Sequence, residues 1–398
     1  MHNSPLRIVF FGADMPWNRL AAYGFRRRNT CLLREFANHP DVERLVDVTG
    51  TTRMHLLRTN ARGAIRELLG FYAPEKVRDV YSLAWIPGQR WIPAIARINR
   101  AITRRAILRA LGDGKPEEII QWCYWPGGYS QARALRLPGK LIFDADNDIL
   151  SCPNLAERRE AYAELMEDCL KHADAIVGGS RRFLRGCTER GFKKTLLLRN
   201  GVDPARFGGE ENMVVPEDLL AIPRPRIGYI GTLSRWMDFP LLEQLAMSNP
   251  RWSFVLIGNP YRTEIPEMLR SLGNVHFLGE RTAADIPCHL AGLDVGLVLY
   301  QARAGANSDG DSMKVYEYLA AGLPVVSTPY HPYMAEDFEG LIHVENDAAG
   351  FSRSIASCLK RSETEKADWD RKRVAFVENN SWRQRGCDAV TLMRELLP

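Results

Sequence analysis

A lysine at the start of a helix and a glutamate one turn further on are the residues here whose types and spacing suit chemistry. They lie in Asn307-Ser308-Asp309-Gly310-Asp311-Ser312-Met313-Lys314-Val315-Tyr316-Glu317-Tyr318-Leu319-Ala320-Ala321-Gly322-Leu323-Pro324-Val325-Val326, which reads as a polar loop, a short helix and a buried strand. Ser312 fits the N-cap, Met313, Tyr316 and Leu319 recur at helical spacing, and Gly322 fits the position after the C-cap. Pro324 then blocks continuation. A cation in the first turn opposes the helix dipole by roughly 0.3–1 kcal/mol. Lys314 therefore makes sense where an anion joins it, cradled by the free N–H groups of the helix start. Glu317, on the same face, can accept hydrogen bonds from sugar hydroxyls, so the two suit a sugar bearing phosphates. The bland alternative is a Lys314–Glu317 surface pair, but lysine before glutamate is the weaker order, worth at most ~0.5 kcal/mol.

A second cluster, Asp144-Ala145-Asp146-Asn147-Asp148, follows the apolar run Leu141-Ile142-Phe143. Acids at the carboxyl end of a buried strand stand where open α/β sheets place chemistry. Asp and Asn are also turn residues, so an acidic turn capping the next helix is the plain alternative. Asp146 and Asp148 share a parity and can face one way, while Asp144 lies nearer the sheet core, better placed as a cap.

The elements that position these clusters alternate. Apolar strand candidates stand at Ile8–Phe11, Val42–Val48, Glu118–Trp122, Lys140–Phe143 and Leu196–Leu198. They resume at Arg226–Ile230, Ser253–Gly258, Val275–Leu278, Val295–Tyr300, Pro324–Ser327 and Gly340–Val344. Helical patterns lie between them, as at Pro240–Met247 and Ile286–Ala291, which argues for doubly wound parallel sheets. The 398 residues suffice for two domains. A stretch rich in proline, glycine and glutamate sets the expected boundaries: a first domain over 1–203, a linker over 204–225, a second domain over 226–380, and a closing helical segment over 381–398 that crosses back to the first domain.

Composition is ordinary globular, 45% hydrophobic and 25% charged, with a formal net charge of +5. The eight cysteines show no C-x-x-C pair and no zinc spacing, so a reduced, cytoplasmic protein is expected. No apolar run approaches the ~18–20 residues of a spanning helix. Gly12 stands alone before its loop, without the G-x-G-x-x-G of a nicotinamide enzyme. The region Thr52–Leu111 turns basic and aromatic, and its last helix carries Arg97, Arg100 and Arg104 as a stripe beside Arg105 and Arg109. Its plain reading is a packed helix with a solvated basic face. The sharper one is peripheral docking on anionic lipid at the inner face of the cytoplasmic membrane. No nucleic-acid-binding motif accompanies it.

Three motifs in this order resemble the GT-B fold of nucleotide-sugar glycosyltransferases over nearly the whole chain. They are Ala173-Asp174-Ala175-Ile176-Val177 with Ser180, Arg199-Asn200-Gly201-Val202-Asp203, and Lys314-x-x-Glu317 running into Ala321-Gly322-Leu323-Pro324. The resemblance implies two Rossmann-like domains facing across a cleft. Ser312-Met313-Lys314 before Glu317-Tyr318 looks like the bacterial glucuronosyltransferase of xanthan-type exopolysaccharide assembly. By that likeness Leu233, in Gly231-Thr232-Leu233, falls in a donor loop. Glu280 would hold the uracil or ribose region, and Tyr300 would lie along the nucleotide. Lys314 would pair with the diphosphate, and Ser312, Met313 and Glu317 would line the pocket. Where that family has glutamine this chain has Glu317, as retaining GT-B enzymes do, and Asp309, eight residues before it, would then face the sugar. The family's base aligns with Asn147, which cannot be a base; Asp148 is the expected base, with Asp146 as its alternate. The D-x-D pairs Asp144/Asp146 and Asp309/Asp311 are read as chance, so no metal and no cofactor are expected.

The sequence is thus read as a metal-independent, hexosyltransferase-type glycosyltransferase of polysaccharide biosynthesis. It would move a sugar from a UDP-type donor, or a GDP-type one, to a hydroxyl of a lipid-linked or saccharide acceptor. Two other readings stand beside it: a nucleotide-sugar epimerase or hydrolase on the same fold, and a nucleotide-sugar-binding pseudoenzyme at the membrane.

Overall fold

The computed structural model describes residues 5–13, 15–22, 24–49, 75–81, 92–145, 159–207, 213–301 and 310–397. The chain divides into two compact units, one of residues 1–150, 154–199 and 385–398, the other of 151–153 and 200–384.

In the first unit, strands β1 (Leu6–Phe11), β2 (Val42–Thr49), β3 (Val77–Tyr81), β4 (Ile119–Tyr124), β5 (Lys140–Ala145), β6 (Ala175–Gly178) and β7 (Thr195–Leu197) form one sheet in the order β3-β2-β1-β4-β5-β6-β7. Every described pairing is parallel. Such strands are covered on both faces, which is why Ile8, Val9, Phe10 and Phe11 are all buried. One face packs Val9, Phe11, Val46 and Phe143 against Ile107, Tyr129 and Met166 of the covering helices. Strand β3 was not expected from sequence.

In the second unit, β8 (Arg226–Ile230), β10 (Ser253–Ile257), β12 (Val275–Gly279), β13 (Val295–Val298), β14 (Val325–Ser327) and β15 (Ile342–Val344) form a second parallel sheet, ordered β12-β10-β8-β13-β14-β15. The short strands β9 (Leu233–Ser234) and β11 (Pro260–Tyr261) pair with each other outside it. Among the described residues, no helix is long and apolar enough to cross a membrane.

Two expectations on domains change. The first unit ends at Arg199 rather than Asp203, because Asn200 and Val202 bond into the second: Val202 N–H donates to Asn380 O (3.1 Å), and Trp382 N–H to Val202 O (2.8 Å). The segment 204–225 is no free linker where it is described. Phe207, Leu219 and Ile222 are buried with Leu290 and Leu293, and removing such side chains from water outweighs the solubility that its prolines and glutamates suggest. Residues 385–398 belong to the first unit, where Arg394 pairs with Asp41 (3.1 Å) and Lys194 with Glu395 (2.5 Å).

Candidate functional site

Strands β8 and β13 are neighbours from which the second sheet's order runs in opposite directions, and open α/β sheets bind ligands beyond the strand ends at such a point. Lys314 lies there, in the helix Met313–Ala320. The helix ends as its sequence dictates. Gly322 has φ +77°, Gly322 N–H bonds Leu319 O (3.1 Å), and Leu323 N–H bonds Tyr318 O (2.9 Å), a Schellman closure. Its start differs from expectation. Ser312 holds the N-cap position, but its side chain makes no capping hydrogen bond; its hydroxyl lies 3.4 Å from Tyr300 Oη instead. The backbone donors of the first turn are left without that cap.

The half-buried Lys314 side chain runs over Gly231, just past β8. Gly231 has φ +142°, a backbone that strains any other residue, and a Cβ there would fall 2.5 Å from Lys314 Cε and push the lysine aside. Lys314 Nζ donates to Tyr300 Oη (3.2 Å) and sits 5.3 Å and 5.5 Å from the ring centres of Tyr229 and Tyr300. Burial opposes its charge, but Tyr229, Tyr300 and Tyr318 more than offset that, so the ammonium holds its proton above the usual lysine range. Burial also works against ionising Tyr300, and the Lys314 cation with the Ser312 hydroxyl brings that phenol below its ordinary value. Tyr318 fixes the helix from below: its hydroxyl accepts from Ile230 N–H (2.8 Å).

Glu317 faces the same region, and burial raises its pKa while Lys314 and Arg206 act to lower it. Among the described residues its carboxylate accepts no hydrogen bond and forms no salt bridge with Lys314, so the surface-pair alternative is not built. Asp311 is occupied otherwise. Its carboxylate accepts from Asn200 N–H (2.5 Å) and Tyr316 Oη (3.1 Å), and its carbonyl from Asn200 Nδ2 (2.7 Å). The Asn200-Gly201 motif thereby anchors the start of the lysine helix.

The structure brings Lys314, Tyr300 and Ser312 into contact, with Glu317 near and Met313 half-buried on the first turn. Glu280 stands apart, exposed past β12, where it accepts from Asn259 Nδ2 (3.0 Å). The Leu233 side chain is buried in the core with Tyr229 and Leu256, and its N–H is taken by Asn259 O. Asp146, Asp148 and Asp309 lie outside the described residues. Asp144, expected as a cap, is fully buried. It accepts from Arg28 Nη2 (3.0 Å) and Trp122 Nε1 (3.2 Å), because β5 carries it under the helix Arg28–Asn38.

Sequence reasoning missed Tyr229 and Arg206, whose partners are remote in the chain. It also missed a cavity of about 450 Å³ in the first unit, lined by Gly12, Ala13, Asn29, Tyr124, Gly127 and Gly128. This cavity opens where β1 and β4 part, at the start of the helix Trp125–Leu135. Asn29 is 2% exposed; its Nδ2 donates to Gly12 O (2.7 Å), and its Oδ1 has no partner among the described residues. A lone glycine before the loop was the only signal.

Residues 224–361 match the family described as glycosyl transferases group 1. The chain is 27% identical over 247 residues to a provisionally named teichuronic acid biosynthesis glycosyltransferase, TuaH, of Bacillus subtilis (strain 168); the match covers 56% of this chain and 60% of that protein. Among solved structures, Anabaena Alr3699/HepE in complex with UDP and glucose superposes with a TM-score of 0.65 at 15% identity, over 98% of this chain and 99% of that one. A trehalose 6-phosphate synthase of Burkholderia multivorans gives 0.65 at 14%, over 99% of each. At such identities the likeness is one of fold, and the fold is that of the GT-B glycosyltransferases.

Proposed function

We propose that this chain, whose residues 224–361 match the group 1 glycosyl transferases, transfers a sugar from a UDP-sugar to a hydroxyl of a saccharide or lipid-linked acceptor in polysaccharide assembly. The observation that carries the reading is Lys314: a cation set between two tyrosine rings at the parting of β8 and β13, with no carboxylate bound to it among the described residues. A half-buried charge without a counter-ion is unfavourable until an anion arrives. A diphosphate fits, meeting the ammonium and the N–H groups at the helix start. Glu317 then accepts from sugar hydroxyls, and Glu280 from the ribose or uracil.

In the reaction the bond from the sugar's anomeric carbon to the diphosphate oxygen breaks, and UDP leaves with the electron pair. The acceptor oxygen bonds that carbon, and its proton passes to a carboxylate. Lys314 and the helix start stabilise the charge that develops on the leaving phosphate, so this reading assigns no metal. Asp148 is the assigned base, with Asp146 as alternate; Asp309 takes part only if configuration is retained. The acceptor is assigned to the first-unit cavity, where Asn29 Oδ1 can take a donor hydroxyl.

The test is UDP release from a panel of UDP-sugars by the purified chain, with and without saccharide acceptors and in the presence of a chelator. Acceptor-dependent release that survives chelation is expected. Asp148→Asn should lower kcat by ~10²–10⁴ with donor affinity unchanged. Tight UDP binding without any turnover would make the chain a binding protein, and an active Asp148→Asn beside a dead Asp309→Asn would move the chemistry to the Glu317 side.

A further inference from the structure

The helix Pro93–Leu111 wears its polarity the wrong way round for a face meant for water. Toward the sheet it buries Asn99 and Thr103, each 3% exposed, with Ile107 and Leu111. Outward it shows Ile98 at 47% and Ile102 at 39%, while Ile92, just before it, is 49% exposed. Buried polar groups and exposed large apolar ones are the informative departures from ordinary burial. The rest of its exposed surface is arginine with Pro93, Ala94 and Ala101. Arg97, Arg100, Arg104, Arg105 and Arg109 are all exposed, and the helix has no acidic residue to pair with them.

At 100° per residue, Arg97 and Arg104 form one edge of the outward arc. Ala94, Ala101 and Arg105 run along its middle, and Ile98, Ile102 and Arg109 form the other edge. Toward the helix end, Arg104, Arg105 and Arg109 line a groove of about 690 Å³ with Ala101, Leu108, Gly112 and a single acid, Asp113. Isoleucines within a field of cations need a partner that is negative at its surface and apolar just beneath. A nucleic acid offers the charge without the apolar layer. A lipid headgroup layer offers both, since arginines meet phosphates while short apolar side chains enter the acyl boundary.

The geometry points to this helix as the face by which the chain docks on an anionic bilayer, lying in the interface rather than crossing it. The inference does not depend on the nucleotide site, which lies in the other unit.

Flotation or sedimentation of the full chain with phosphatidylglycerol-containing vesicles, against pure phosphatidylcholine vesicles, tests it. Binding is expected to the anionic vesicles at low salt and to be lost near 1 M salt, where the screening length falls to about 3 Å. The variant R97Q/R100Q/R104Q should partition roughly a hundredfold less, each near-surface arginine being worth about a fivefold factor. I98S/I102S, with all charges kept, should partition roughly tenfold less. Circular dichroism and UDP titration, unchanged in both variants, keep a folding defect from passing for a docking defect. Equal binding of wild type to both vesicle types, or both variants partitioning as wild type does, overturns the proposal. So does a face that leaves the vesicles unbound and binds a protein instead.

Discussion

Arg28 in the first unit and Lys314 in the second are cations drawn at least partly out of water, and the two are treated in opposite ways. In the first unit Arg28 and Asp144, both under 3% exposed, meet at 3.0 Å with Trp122 as a further donor. In the second, Lys314 meets two tyrosine rings and one phenol oxygen. A cation that carries its own carboxylate is complete and serves the fold. One held by neutral aromatic groups keeps its full charge facing whatever enters. Burial raises the Asp144 pKa while Arg28 and Trp122 act against it, so that pair depends on both members being present.

The comparison breaks first at Asp144. Asp144→Ala leaves Arg28 charged and buried without its carboxylate, which should destabilise the protein by about 3–5 kcal/mol, read as a fall in the urea midpoint at constant slope. Arg28→Met together with Asp144→Leu should recover much of that loss, and a double variant as unstable as the single one would deny the pair its structural role. Lys314→Met should behave in the opposite manner. The midpoint should barely move, while UDP affinity in a titration calorimeter falls by about 1.5–3 kcal/mol, the range for hydrogen bonds to charged groups. Unchanged UDP affinity would remove Lys314 from the site.

The smallest effect concerns two carboxylates that face each other. Asp47 and Asp79 are register partners on β2 and β3. Burial and the neighbouring Asp79 raise the Asp47 pKa, and burial lifts Asp79 to about 6. A carboxylate whose folded pKa exceeds its unfolded value contributes stability below the unfolded value, and that contribution is lost as pH rises through the folded one. The protein should therefore lose about 2 kcal/mol between pH 4 and pH 7 through Asp79 alone, and Asp79→Asn should flatten that slope in pH-dependent urea titrations.

Much of this organisation was legible in the sequence, for a physical reason. Strands buried on both faces must be continuously apolar, so Ile8–Phe11 and Val295–Val298 announce themselves without context. The closure of the lysine helix was equally local, since Gly322 and Pro324 each impose a backbone choice that no neighbour revises. Strand β3 was hidden because Val77-Arg78-Asp79-Val80-Tyr81 carries charges that only its neighbours accommodate. The segment 204–225 looked like a linker because its prolines and glutamates are as visible as its few apolar residues, and burial chooses among them only after folding.

The sequence by itself determined the alternation of strands and helices, the lysine in a first helical turn, and a basic stripe with isoleucines beside it. Those follow from backbone preference and periodicity, which act within a few residues. Tertiary structure decided which charges are completed by partners. Arg28 finds Asp144 116 residues away, and Asp311 takes up Asn200 from 111 residues away. Lys314 instead reaches Tyr229 and Tyr300 across the parting of two strands. It decided too that Ile98 and Ile102 of the arginine helix face outward while Ile107 is buried. Whether a charge is satisfied depends on distances of a few ångströms between groups remote in sequence, and only packing sets those distances.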